Sequence, residues 1–185
     1  MAFGAPAIPK EKLNKPVANS KSRVKHMAEE KKEKDMSQEY ELLAKKYGLP
    51  GYNDIDREFP LGHLEPGNFV LRSVCLKMAE RCDYTRKLLG DFIQPDTHIA
   101  DMQEAESITD SDKAKVLELF KKLSFYSREF VIVDFDYDEK RSADLIREFY
   151  SVWEGIKGDV VQIVARVRDS WKKSLSRKQD YNYFG

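Results

Sequence analysis

Residues 66–93 read PGNFVLRSVCLKMAERCDYTRKLLGDFI, and the spacing of their apolar positions decides the fold. Cys75, Met78, Cys82, Thr85, Leu89 and Phe92 alternate steps of three and four. That spacing predicts one helix from about Pro66 or Gly67 to Ile93, stopping before Pro95, with a seam like that of a helix bundle. The two cysteines, the only ones in the chain, hold equivalent places on the seam, where a thiol packs as a small hydrophobe. Two helical turns would set their Cα atoms ~10 Å apart, too far for a disulfide. Nothing in this usage demands an oxidising compartment.

Working upstream, SQEYELLAKKYG (residues 37–48) places Tyr40, Leu43, Ala44 and Tyr47 on one helical face. Ser37 is positioned to cap its start, and Gly48 to end it in a left-handed conformation. A Gly- and Pro-rich loop, residues 48–68, follows. Leu49, Tyr52, Ile55 and Phe59 are its expected anchors, because a loop of that length needs them.

Downstream, residues 94–113 read as an acidic linker. Thr109-Asp110-Ser111-Asp112 has the form of a capped helix start, with acids where the helix dipole favours them. Val116, Leu117, Leu119, Phe120, Leu123 and Tyr126 or Ser127 give the third helix a wide apolar face. FVIVDFDYD (130–138) suits a helix end or an irregular turn, since a lone strand would have no partner. A fourth helix is expected from Asp138 to Trp153, carrying Leu145, Ile146, Phe149 and Tyr150. GIKGD (155–159) should break it, with Asp159 capping a fifth helix lined by Val160, Ile163, Val164, Val167 and Trp171. The expected fold is all-α: a four- to five-helix bundle over residues 37–175, a disordered basic and charged N-terminal arm (1–36), and a short aromatic C-terminal tail (176–185).

Lys and Arg number 32, as do Asp and Glu, so the formal net charge is zero. Its distribution is uneven. Residues 1–27 carry Lys10, Lys12, Lys15, Lys21, Arg23 and Lys25 against Glu11 alone. Residues 157–180 carry Lys157, Arg166, Arg168, Lys172, Lys173, Arg177 and Lys178 against three aspartates. An acidic body thus lies between two basic ends. The arm has three prolines and one aromatic residue, too little apolar surface to offset its ordering entropy. No stretch has the ~20 apolar residues that a membrane-spanning helix needs. The N-terminus, interrupted by Pro and Lys, lacks the apolar core of a signal peptide, so a cytoplasmic location is expected.

Chemistry is sparse. The three histidines are dispersed, and no Glu is followed by His three residues later, as a di-iron bundle requires. The spacing of the cysteines makes no zinc site. Asp134, Asp136 and Asp138 resemble the opening of a calcium loop, but Glu139 and Leu145 stand where that loop needs Gly and an acid. His98 among Asp96, Asp101, Glu104 and Glu106 has no nucleophile at a telling spacing. No phosphate-binding glycine loop is present. Neither a cofactor, a resident metal nor catalysis is expected.

The leading expectation is an RNA- or ribonucleoprotein-associated helical protein, with ribosome association as its most concrete form. Lys10, Lys12, Lys15, Lys21, Arg23 and Lys25 at one end, and Arg166, Arg168, Lys172, Lys173, Arg177 and Lys178 at the other, would contact phosphate. The first alternative is a protein-interaction adaptor using its acidic body and the aromatic tail Tyr181, Tyr183 and Phe184, since exposed aromatics commonly dock. The second is a small metal-binding or enzymatic bundle centred on Asp134, Asp136 and Asp138.

Overall fold

The computed structural model describes residues 36–62, 69–95 and 98–176. Among them are six helices and no strand. These are α1 (residues 36–47), α2 (Tyr52–Glu58), α3 (Val70–Ile93), α4 (Ile99–Glu106), α5 (Asp110–Phe135) and α6 (Glu139–Ser176). The protein is all-α. The long helices α3, α5 and α6 form its centre: α3 packs along α5, α6 lies against both, and α4 leans on α3.

The α3 seam is buried as its spacing requires, from Cys75 through Phe92. Cys82 Sγ lies 3.3 Å from the Leu123 carbonyl oxygen on α5, and Cys75 Sγ 3.7 Å from that of Ser142 on α6. Burial pushes both thiols up to about 12. They are packing groups and remain unpaired as a disulfide. Thr85 fits the same seam because its hydroxyl donates to the Arg81 carbonyl one turn back, at 2.9 Å. The described part of the helix starts at Val70, with Phe69 as N-cap; Pro66 and Gly67, the expected start, lie outside the described residues.

Phe149 on α6 anchors the core. Its ring meets Phe59, Tyr126, Phe130 and Trp153 with centroids 5.1 to 5.9 Å apart. Such tilted and edge-on contacts add to the burial of the rings themselves.

The local signals at helix ends are realised in three places. Gly48 has φ of 63°, and the Leu49 amide returns to the Ala44 carbonyl at 3.0 Å, closing α1 as a Schellman turn. Thr109 accepts from the Asp112 amide at 3.2 Å while its hydroxyl donates to the Asp112 carboxylate at 2.8 Å. Asp138 accepts from the Arg141 amide at 2.6 Å and so caps α6. The segment 130–138 continues α5 to Phe135 and then turns.

Four expectations are corrected. Ser37 lies inside α1, since residue 36 is already helical. The loop after Gly48 holds α2: Tyr52, Ile55 and Phe59 are buried anchors, and Glu41 accepts from the Tyr52 amide at 2.8 Å to start the helix. The linker before Thr109 holds α4, which buries none of its own residues. GIKGD does not break the last helix. Residues 139–176 form one helix of 38 residues, passing through Gly155 and Gly158. Neither glycine takes a positive φ. The burial of Trp153, Ile156 and Ile163 on either side outweighs a helix-propensity cost of about 1 kcal/mol per glycine. Asp159, expected as a cap, instead reaches Lys115 on α5 at 2.5 Å.

Candidate interaction surface

Four of the predicted phosphate-binding residues, Arg166, Arg168, Lys172 and Lys173, lie among the described residues. Lys10, Lys12, Lys15, Lys21, Arg23, Lys25, Arg177, Lys178, Tyr181, Tyr183 and Phe184 lie outside them. All four described residues are exposed, but they do not form one face. At roughly 100° per residue, Arg166 and Lys173 fall on one flank of the buried stripe, and Arg168 and Lys172 on the other.

Two of the four are also engaged. Arg166 pairs with Asp112, whose side chain is only 8% exposed at the first turn of α5. Arg168 pairs with Asp169 at 2.9 Å. Lys157 is held between Glu58 at 2.9 Å and Glu154 at 2.8 Å. Glu58 also accepts from the Trp153 indole N–H at 3.2 Å. The Lys157 hydrogen bond, helped by Trp153 and opposed by burial, holds the Glu58 carboxyl below its usual range. Arg166, Arg168 and Lys157 on α6 are therefore paired with acids of the same chain. Lys172 and Lys173 remain without an acidic partner among the described residues.

The acidic turn is dispersed in the same way. Asp134 accepts from Arg72 on α3 at 2.8 Å, and Asp138 caps α6. Asp136 stands at the C-cap of α5. No group of three or more His, Cys, Asp or Glu side chains converges among the described residues. Glu104 accepts from the Trp171 indole N–H at 2.9 Å, tying α4 to α6. His98, exposed, occupies the N-cap position of α4 without a side-chain capping bond.

A different surface stands out, on α5. Its inward face is Val116, Leu119, Leu123, Tyr126, Phe130 and Val133. On the opposite side, Lys121, Phe125, Arg128, Ile132 and Phe135 repeat at steps of four and three. Phe125 is 56% exposed and Phe135 87%. Ile132 and Val131 are exposed beside them, as is Leu117 one turn before Lys121. The rest of the helix is tied to its neighbours. Asp83 and Arg72 of α3 hold Ser127 and Asp134, and Glu148 and Arg141 of α6 hold Tyr126 and Glu129. The outward stripe faces away from the bundle.

Sequence reasoning gave the helix one apolar face ending at Tyr126 or Ser127, left 130–138 as a helix end or turn, and missed the second face. The available signal was density: FVIVDF carries more apolar residues than one helical face can bury. Leu117, expected in the core, is exposed, and Phe120 is half-buried against Gly90. No family model, curated protein or solved structure matches the chain. Among the described residues, no helix is long and apolar enough to cross a membrane.

Proposed function

We propose that the chain is a non-catalytic protein-interaction adaptor of the cytoplasm, with the outward stripe of α5 as its main recognition element. The observation that supports this reading is the exposure of Phe125, Ile132 and Phe135 along one helical face. Exposed apolar residues gathered on one face mark association sites, whereas scattered ones do not. The aromatic tail, Tyr181, Tyr183 and Phe184, is a second docking element on this reading.

Ribonucleoprotein association is the second reading. It is favoured by the exposed Lys172 and Lys173, which lead in sequence into Arg177 and Lys178. It is weakened by the ion pairs of Arg166 and Arg168 with acids of the same chain.

Affinity capture from host cells separates the two, using the full chain, a Phe125→Asp/Phe135→Asp variant and a chain lacking residues 1–27. The adaptor reading expects partners that survive ribonuclease and moderate salt and are lost from the Asp variant. Partners released by ribonuclease or salt, and lost with the N-terminal deletion, would reverse the order of the two readings.

A further inference from the structure

We propose that the outward stripe of α5 is a self-association surface on which a second copy of this chain packs antiparallel. This rests on the adaptor reading and names one partner for its recognition face. Lys121, Phe125, Arg128, Ile132 and Phe135 follow the four-three repeat of a two-helix seam, and all five lie within the one helix α5. Phe125, Ile132, Phe135 and the neighbouring Val131 present on the order of 400 Å² of apolar surface, counting ~200 Å² for a fully exposed Phe ring. Two such faces together reach about 800 Å², and the apolar stems of Lys121 and Arg128 beside them bring the contact to about 1,000 Å², the lower bound of a specific interface.

Charge along the stripe selects the orientation. Its N-terminal part carries exposed Lys121 and Lys122, and its C-terminal end carries exposed Asp136 and Asp138. A parallel pair would set lysines against lysines and aspartates against aspartates. An antiparallel pair sets Lys121 and Lys122 against Asp136 and Asp138 of the second copy. The same arrangement lays Phe125 on Phe135 of the second copy, twice by symmetry, and Ile132 beside the Arg128 stem. An isologous contact of this kind closes on itself as a dimer.

The acidic turn thereby gains a role that requires no cation. Its side chains end the seam and fix its direction.

Two measurements on the full chain decide the matter. Sedimentation equilibrium should give a reversible dimer, and Phe125→Asp/Ile132→Asp should weaken it at least ~100-fold. The variant should keep the helical circular dichroism spectrum and cooperative unfolding of the wild type, because neither side chain is part of the core. Orientation is read by cross-linking, which the burial of Cys75 and Cys82 makes specific to an introduced thiol. Arg128→Cys lies near the two-fold axis and should cross-link to its copy with a short bis-maleimide. Lys121→Cys, ~25 Å from its copy in an antiparallel pair, should not. A chain monomeric at all concentrations overturns self-association, and leaves the adaptor reading standing if the Asp variant still loses a captured partner. A dimer insensitive to the Asp substitutions overturns the surface. Cross-linking through both thiols overturns the antiparallel orientation.

Discussion

Replacing Gly155 and Gly158 together with Ala tests whether α6 is one helix or two. Both glycines are exposed, and a Cβ built on either meets nothing within 4 Å. Neither takes a positive φ; among the described glycines only Gly48 does. In a continuous helix each exchange removes the unfolded-state freedom of glycine without a steric cost. Each should stabilise by about 0.5–1 kcal/mol, so about 1–2 kcal/mol for the pair. For a chain of this size that corresponds to a rise of roughly 2–8 °C in Tm. Urea unfolding monitored by far-ultraviolet circular dichroism measures the change, and helix content should not fall. Destabilisation would show that the chain bends at these positions, and the single 38-residue helix would have to be abandoned. Gly48 serves as an internal control with the opposite sign: Gly48→Ala strains a residue at φ of 63°, at a cost of about 1 kcal/mol.

Three further outcomes follow from the packing. Glu58→Gln should cost about 1–2 kcal/mol at neutral pH by removing the charged acceptor shared by Lys157 and Trp153. The Lys157 hydrogen bond holds the folded carboxyl below the usual glutamate range, so its contribution is full above that range and is lost as pH falls through the lowered folded pKa. The gap between wild type and variant should therefore narrow as pH falls into the acid range, as denaturation curves at neutral and successively lower pH would show. Phe149→Ala removes the ring shared by four aromatic neighbours and should cost about 3–5 kcal/mol, measured by chemical denaturation. Cys75 and Cys82 should react with a thiol-specific disulfide reagent only after unfolding, because both are buried with thiols pushed up to about 12. Rapid labelling of the native chain would contradict their place in the seam.

Much of the fold was legible because local and long-range signals agreed. The 75–92 seam, the Gly48 turn, the Thr109 box and the Asp138 cap each combine a residue type with a spacing that only one helical geometry satisfies. The divided reading of α6 failed because Gly155 and Gly158 are strong local punctuation, while what overrides them is the tertiary burial of Trp153, Ile156 and Ile163 on either side. Helix α2 was hidden for the same reason: seven residues are too few to show a period, and its start is capped by Glu41 of α1.

The candidate surface was harder to see than the fold. Basic residues at Arg166 and Arg168 look available in sequence, yet tertiary pairing consumes the first through Asp112, 54 positions earlier. Conversely, Phe125, Ile132 and Phe135 look like core residues until α5 is seen to have a second apolar face. Burial and pairing are tertiary properties, and composition averages over them.

The salt dependence of self-association bears most directly on whether contact is made by the apolar face of α5 or by the basic ends. Sedimentation equilibrium of the full chain at about 0.05 and 0.5 M NaCl supplies it. An apolar seam with charged flanks predicts a dissociation constant that changes less than about tenfold over this range. A dimer that falls apart steeply with salt, or a species of 21.5 kDa at every concentration, would contradict it.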